Sequence, residues 1–210
     1  MGRPNVAQTI QAIGRPVFTT REIALVRHGS ISATSHDLAR LAKQGRLQRI
    51  TRGLWADPND RRFTRYHLVP FLVGRHHAYV SFLSALNLHR IIEQIPQIVY
   101  AATTGHTRLK KTSIATYSFH RIDPRFFAGF EWYGAAQDFL IATPEKALVD
   151  SLYLSTRKGN PFGFFPELDF SNLSVHRARK WIRQIPDPRI RTSTFSRLDR
   201  LRDREQRRRN

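Results

Sequence analysis

Helix ends are marked unusually clearly in the first third of the chain, and these marks constrain the fold more than any other feature of the sequence. Thr19 and Glu22 have the spacing of a capping box, in which Thr19 is the N-cap residue and Glu22 lies three positions later. Gly29 and Gly45 follow at positions where helices commonly end. The signals predict two helices joined by a tight turn, with Ser32 as the N-cap of the second one.

Apolar residues extend this pattern on both sides. A preceding helix ends at Gly14, and three of its apolar residues share one face: Val6, Ile10 and Ile13. Short strands are predicted before and after the helical pair, at Val17–Thr19 and around the turn Thr51-Arg52-Gly53. Two helices joined by a Gly-containing turn and followed by a basic hairpin are typical of a winged helix-turn-helix. We predict this domain over residues 1–60, ending in the turn signal Asp57–Asp60.

The rest of the sequence is typical of a mixed α/β domain. Helical patterns occur at Tyr66–Val73 and Ser81–Leu86, and strand patterns at Ile98–Ala101, Thr116–His120, Phe127–Trp132 and Phe139–Ile141. A helix begins after Thr143, because Pro144 and Glu145 suit its first turn. Two more helices follow, the last one capped by Asp187. We therefore predict an α+β protein with a second domain over residues 61–202 and a disordered basic tail over residues 203–210.

The charge distribution indicates the kind of ligand. Lys and Arg number 35 against 16 Asp and Glu, which gives a formal net charge of +19. The net charge is +7 for residues 1–62, +3 for residues 63–175 and +9 for residues 176–210. Two separate basic regions favour binding to a polyanion, most often nucleic acid. A basic protein without such a ligand is the alternative at this point.

Several classes of protein are excluded or disfavoured by composition. The absence of cysteine excludes disulfides, cysteine-bound zinc, iron–sulfur clusters and thiol catalysis. No apolar stretch has the length of a membrane span, and the N-terminal residues lack the apolar core of a signal peptide, so we expect a cytoplasmic protein without membrane contact. His76 and His77 are adjacent and poorly placed to share a metal ion. We expect no cofactor, no metal and no catalytic residues.

The candidate DNA-binding residues lie on the second and third helices and on the hairpin. With Leu38 and Leu41 directed inward, the third helix presents four side chains that are expected at base edges: Ser32, Ser35, His36 and Arg40. Asp37 repels phosphate, but its carboxylate is able to accept a hydrogen bond from a cytosine amine. Phosphate contacts are expected from Lys43, Arg49 and Arg52, and Thr20 and Arg21 complete the set. The alternative is an ordinary solvated helix face.

A second function class rests on Glu145, Lys146 and Asp138, residue types that some nucleases combine. Glu145 and Lys146 are adjacent at a predicted helix start, which favours helix capping instead. Asp150 lies one turn beyond Lys146, so an ion pair between them is the simpler interpretation. A nucleic-acid-processing enzyme that uses Glu145, Lys146 and Asp150 remains an alternative hypothesis.

Three motifs in series resemble a known family. The run from Arg40 to Pro58 is similar to the helix-and-wing segment of the AbiEi antitoxins of bacterial type IV toxin–antitoxin (abortive infection) systems. Tyr79–Leu86 and Thr143–Leu154 follow in the order of that family, so the resemblance spans most of residues 4–155. The family usually has Tyr at the position of Trp55.

The resemblance implies a non-enzymatic autoregulator. In such a protein the winged helix binds inverted repeats in the promoter of its own operon, and the C-terminal part counters a nucleotidyltransferase-like toxin. Direct contact with the toxin is not implied. A stand-alone winged-helix transcription factor without a toxin partner is the remaining alternative.

Overall fold

The computed structural model describes residues 5–134, 138–156, 162 and 165–209. It divides the chain into two compact units, the first of which comprises Met1–Phe71 and Lys111–Ala115. The predicted boundary at residue 60 therefore falls inside the first unit. Residues 66–73, predicted to be helical, form only parts of two short 3-10 turns, Arg65–Leu68 and Pro70–Leu72, because Pro70 has no N–H with which to continue a helix.

The first unit is a winged helix-turn-helix. Its elements in chain order are α1 (Val6–Ile13), β1 (Val17–Thr19), α2 (Thr20–Val26), α3 (Ile31–Lys43), β2 (Gln48–Thr51) and β3 (Leu54–Ala56). Strand β3 lies between β1 and β2 and is antiparallel to both. One apolar core joins the helices to the hairpin and contains Val6, Phe18, Ile23, Leu38, Leu47 and Trp55.

The helix ends of this unit confirm most of the predicted caps. The Thr19 hydroxyl accepts the N–H of Glu22 at 3.2 Å, and the Glu22 carboxylate accepts the N–H of Thr19 at 2.7 Å. The predicted cap of α3 is wrong: Ser30, not Ser32, accepts the N–H of Ala33 at 3.1 Å. Helix α2 also ends at Val26 rather than at Gly29, which leaves residues 27–30 as the turn and makes Ser30 the last extended residue before α3.

The second unit combines one mixed sheet with four helices in the described ranges. The elements are β4 (Ala78–Val80), α4 (Phe82–Leu88), β5 (Val99–Thr103), β6 (Arg108–Lys111), β7 (Thr116–Arg121), β8 (Phe130–Tyr133), β9 (Phe139–Ala142), α5 (Pro144–Ser155), α6 (Val175–Arg183) and α7 (Pro188–Arg209). The strand order is β6-β7-β5-β4-β9-β8, in which β4–β9 and β5–β7 pair in parallel. The protein is thus α+β, with an N-terminal winged helix-turn-helix followed by an α/β unit.

The C-terminal residues differ from the prediction of a disordered tail. Helix α7 continues through residues 203–209. Leu198, Leu201 and Glu205 follow one another at helical spacing and are all buried, so one face of the helix is held against the unit into its last turns. In the described part of the chain, every helix is too short or too polar to cross a lipid bilayer.

Candidate nucleic-acid interface

Helix α3 has one buried side and one polar, exposed side. Thr34 and Leu38 are fully buried against the core of the first unit. On the opposite side the helix exposes the four residues that were predicted to contact base edges: Ser32, Ser35, His36 and Arg40. Lys43, which was predicted to contact phosphate, is exposed as well. Because the cap belongs to Ser30, the Ser32 side chain is not used as the N-cap and lies in the first turn of the helix. Apart from Ile31 at its first position, which is 54% exposed, the exposed residues of α3 include no large apolar side chain, as insertion into a major groove requires.

The hairpin carries its own cationic groups. Arg49 on β2 and Arg52 in the turn between β2 and β3 are both exposed. The guanidinium of Arg49 lies 5.7 Å from the ring centroid of Trp55, a cation–π contact that directs the arginine along the face of the hairpin. Gly53 has a φ of +75°, which an L side chain rarely adopts, so the turn that presents Arg52 depends on this glycine. The hairpin therefore has the charge that a wing needs for phosphate contact.

Trp55 and Thr20 connect the hairpin to the beginning of α2. The indole Nε1–H of Trp55 donates to the Thr20 hydroxyl at 2.8 Å, and both residues are buried. The backbone N–H of Thr20 donates to the carbonyl of Gly53 at 2.9 Å. The structure does not favour a contact of Thr20 with DNA, because Thr20 is buried, its hydroxyl accepts from Trp55 and its N–H donates to Gly53.

The first turn of α2 nevertheless keeps one exposed cation at its surface. Arg21 is exposed, directly after the buried Thr20. The next residue, Glu22, has a lowered pKa: partial burial alone would raise it, but the hydrogen bonds from Thr19 and Arg15 outweigh that effect. The carboxylate is bound to Arg15 at 2.8 Å. Arg15 thus compensates the negative charge of Glu22, and the adjacent cation of Arg21 remains at the surface.

Asp37 was predicted to face a cytosine amine, but in the structure its carboxylate faces two arginines. One carboxylate oxygen accepts a hydrogen bond from Arg27 at 2.8 Å, and the other lies 3.4 Å from Arg40. Because both oxygens face arginines, the structure does not favour the predicted contact of Asp37 with a cytosine amine. Arg27 was not predicted from the sequence as a member of this site. Arg27 lies in the turn after α2 and Asp37 on α3, ten positions apart, and no local periodicity joins them.

Lys146 and Asp150 of α5 form a second polar cluster, inside the second unit. They form the ion pair that the sequence spacing predicted, and the structure shows that this pair is fully buried. Lys146 also donates to the hydroxyl of Tyr79 at 2.9 Å, and Asp150 accepts from Tyr79 at 2.9 Å and from Ser81 at 2.8 Å. Burial lowers the pKa of Lys146, although Asp150 opposes this, and burial together with the Asp150 charge raises the pKa of Tyr79. All these groups satisfy one another inside the fold.

The surroundings of this cluster are those of a core. The Lys146 ammonium lies 4.0 Å from the ring centroid of Phe126 and 6.0 Å from that of Trp181. A side chain at Gly129, whose φ is +78°, would come within 2.6 Å of Trp181 and 3.0 Å of Lys146. The packing therefore closes over the ammonium and leaves no space for a substrate beside it.

Glu145 is also engaged internally. Its carboxylate accepts from Arg177 at 3.0 Å and from the N–H of Ser174 at 3.1 Å, which ties the start of α5 to the start of α6. Among the described residues, no group of His, Asp and Glu side chains is arranged to hold a metal ion. The geometry therefore gives Glu145, Lys146 and Asp150 structural contacts in place of the arrangement that a metal-dependent nuclease requires.

Comparison with known proteins finds a match within the first unit. Residues 7–56 match the model of a family described as "Transcriptional regulator, AbiEi antitoxin". The match runs from α1 to the end of β3 and confirms the resemblance in this region. The motifs at Tyr79–Leu86 and Thr143–Leu154 lie outside the matched residues. No curated protein sequence matches the chain.

Proposed function

We propose that this chain, whose N-terminal region matches the AbiEi family of transcriptional regulators, represses its own operon and acts as the antitoxin of a type IV toxin–antitoxin system. The observation that carries the DNA-binding part is the exposed polar side of α3 next to a cationic hairpin on a winged helix-turn-helix core. The ligand is double-stranded promoter DNA with inverted repeats.

The proposal assigns different tasks to α3 and the wing. Ser32, Ser35, His36 and Arg40 face base edges in the major groove, where Arg suits the paired acceptors of guanine. Lys43, Arg49, Arg52 and Arg21 bind phosphates, which fixes the position of the domain without reading sequence. Thr20 has no direct part, because it is buried.

The second unit is assigned the antitoxin activity. The chain carries a second folded unit of α/β type, and residues 176–210 at its C-terminal end have a net charge of +9. The toxin to be countered is of the nucleotidyltransferase-like class, and the proposal does not require that it be bound directly.

Hydroxyl-radical footprinting on the DNA upstream of the gene tests the repressor role. We expect protection of two half-sites related by inverted symmetry, since a symmetric pair of winged helices reads a palindromic operator. Arg40→Ala is the variant that should lose the protection, and Arg125→Ala is the matched control, because Arg125 is an exposed arginine of the second unit that is bound to Asp123. Equal protection of upstream and unrelated DNA would contradict the proposal.

Co-expression with the neighbouring gene product tests the antitoxin role. We expect that a toxic neighbour is tolerated by cells only when the full chain is present. Rescue should persist in Arg40→Ala, because that variant changes only the DNA-binding unit. A neighbour that is harmless on its own would instead favour the stand-alone transcription factor.

A further inference from the structure

Helix α7 carries a line of arginines along one side. Counting by three and four residues from Arg189 gives a continuous stripe, which we call the α7 arginine stripe: Arg189, Ser193, Arg197, Arg200, Arg204 and Arg207. At a rise of about 1.5 Å per residue the stripe is roughly 27 Å long. Arg189, Arg200 and Arg207 are exposed, whereas Arg197 and Arg204 are half-buried.

Of the three acidic residues of α7, Asp203 is exposed beside the stripe, three positions after Arg200 and four before Arg207, and it offsets part of their charge. Asp199 is bound to Arg179 of α6 at 2.7 Å. Glu205 is buried and binds Arg204 at 2.9 Å, so it offsets the charge of one arginine of the stripe. The stripe contains five arginines, which outnumber Asp203 and Glu205, so its surface keeps a net positive charge.

A cleft of about 260 Å³ opens beside the middle of the stripe. Arg197, Arg200 and Arg204 form one wall, and apolar side chains that include Leu152 and Phe165 form the floor. The Nε of Arg197 is buried there and lacks a hydrogen-bond partner among the described residues. A buried N–H of a charged group that lacks a partner is costly, and an anion that enters the cleft would provide one.

We propose that the α7 arginine stripe binds the phosphate backbone of double-stranded DNA, with one phosphate seated in the cleft at Arg197. The guanidinium fork suits a phosphate, because its N–H groups match the oxygens in parallel pairs. This surface belongs to the second unit, whereas α3 and the wing belong to the first.

The choice of a duplex follows from the aromatic side chains at the cleft. Proteins that bind single strands expose aromatic rings on which bases stack. Phe162 and Phe165 at this cleft are only 3% and 6% exposed and offer no such face. We therefore expect the stripe to contact only the phosphate backbone of the nucleic acid. A duplex fits such contacts, because its bases are paired with one another and need no stacking partner in the protein. The choice of DNA over RNA rests on the proposed function.

Salt dependence of binding to one random-sequence duplex tests the stripe in the full chain. Each phosphate contact contributes about 0.9 to the slope of log K against log salt. Arg200→Gln should therefore make the slope shallower by about one contact between 50 and 200 mM salt. Arg202→Gln is the matched control: it removes the same charge from the same helix, but Arg202 lies off the stripe and does not line the cleft.

Arg197→Lys distinguishes the effect of binding in the cleft from the effect of the net charge of the helix. This variant keeps the charge but loses the Nε–H, so affinity for the duplex should fall although the charge of the chain is unchanged. Equal slopes for Arg200→Gln and Arg202→Gln would overturn the proposal. So would an effect of Arg200→Gln on duplex RNA or single strands with none on duplex DNA.

The same measurements distinguish this inference from the proposed function. If Arg40→Ala leaves operator discrimination unchanged while Arg200→Gln reduces the slope, the repressor proposal fails and the stripe remains. If Arg40→Ala abolishes discrimination while Arg200→Gln and Arg202→Gln behave alike, the stripe alone is overturned.

Discussion

Asp37 accepts a hydrogen bond from Arg27 at 2.8 Å, and this contact joins the end of α2 to the middle of α3. The side chains of Arg27 and Asp37 are 16% and 30% exposed, so the pair is partly shielded from solvent. The second carboxylate oxygen faces Arg40 at 3.4 Å, and the Arg40 side chain is 70% exposed. Asp37 therefore links the helix-turn-helix turn to the arginine that we place at a base.

Asp37→Asn should change affinity and specificity in opposite directions. Removal of the carboxylate charge lowers repulsion from phosphate, so random DNA should bind more tightly. Arg40 loses the partner that holds its guanidinium, so the ratio of operator to random affinity should fall. Fluorescence anisotropy with operator and scrambled duplexes at one salt concentration measures both quantities.

Asp60→Asn is the control for that experiment. Asp60 belongs to the same unit and is bound to Arg62 at 2.6 Å, away from α3 in the sequence. Its removal changes the charge equally and should leave the specificity ratio at the wild-type value. A ratio that falls equally in both variants would show that Asp37 acts only through net charge.

Arg40→Ala and Arg52→Ala should differ in what they affect. Loss of a paired contact to guanine costs about 1–3 kcal/mol on the operator and relaxes discrimination at one base step. Loss of Arg52 should weaken operator and scrambled duplexes alike, because a phosphate contact carries no sequence information. Both variants are measured on both duplexes at one salt concentration; identical losses throughout would mean that α3 does not read bases.

The hydrogen bond between Trp55 and Thr20 should be measurable as a coupling free energy. Trp55→Phe leaves the Thr20 hydroxyl buried without its donor, which costs about 1–3 kcal/mol in addition to the lost packing. Thr20→Val removes the acceptor. In a double-mutant cycle on urea unfolding, the two changes should be non-additive by at least about 0.5 kcal/mol. Additive losses would show that the contact contributes nothing beyond packing.

Lys146→Met should destabilise the second unit strongly. Removal of one partner from a buried ion pair costs about 3–5 kcal/mol, because Asp150 then remains buried without its counter-charge. The double variant Lys146→Met/Asp150→Asn should recover part of this loss, since an amide oxygen still accepts from Tyr79 and Ser81. Urea unfolding measures the free energies; a fully stable Lys146→Met protein would contradict the structural role assigned here.

His120 should make the second unit sensitive to acid. Burial lowers the pKa of its imidazole to about 4 from the ordinary value of 6.5, and its ring lies against Phe82, Tyr100 and Phe162 while Nε2 contacts the Ser118 hydroxyl at 2.9 Å. The unfolded chain therefore binds the proton more tightly than the folded chain. Stability is complete above about pH 6.5 and should fall by about 3 kcal/mol as the pH decreases to about 4.

His120→Gln tests this assignment in pH-dependent urea unfolding. The variant should have a flatter stability profile between about pH 6.5 and 4 than the wild type. His106→Gln is the matched control, because His106 is an exposed histidine of the same unit. An unchanged profile in His120→Gln would assign the acid sensitivity to other groups.

Helix ends were the most predictable part of this fold, because their signals are local. Thr19 with Glu22, and Thr143 with Pro144, act through contacts within one turn, and the structure confirms both starts. The cap of α3 was misassigned because Ser30 and Ser32 are both acceptable cap residues after Gly29. Tertiary placement of the turn decides between them.

Strands and site geometry were less predictable, because they depend on distant residues. Strand β6 contains three basic residues among four and lies at the sheet edge, where charge is favourable but the apolar alternation that marks strands is lost. The contact of Thr20 inside the unit was not predictable for a related reason: its partner Trp55 is 35 residues away. The exposed face of α3, in contrast, followed directly from the helical spacing of Leu38 and Leu41.

The tie between Thr20 and the hairpin also bears on the operator. Hydrogen bonds of Trp55 and Gly53 with Thr20 hold the wing against the first turn of α2. The distance between the wing and α3 is therefore fixed, and so is the spacing between the groups proposed to contact bases and phosphates. If the domain reads DNA as proposed, we expect insertion of one base pair within a half-site to abolish binding, because the protein cannot change the distance between the wing and α3. Half-site length should accordingly be the least variable dimension of the promoters that this domain regulates.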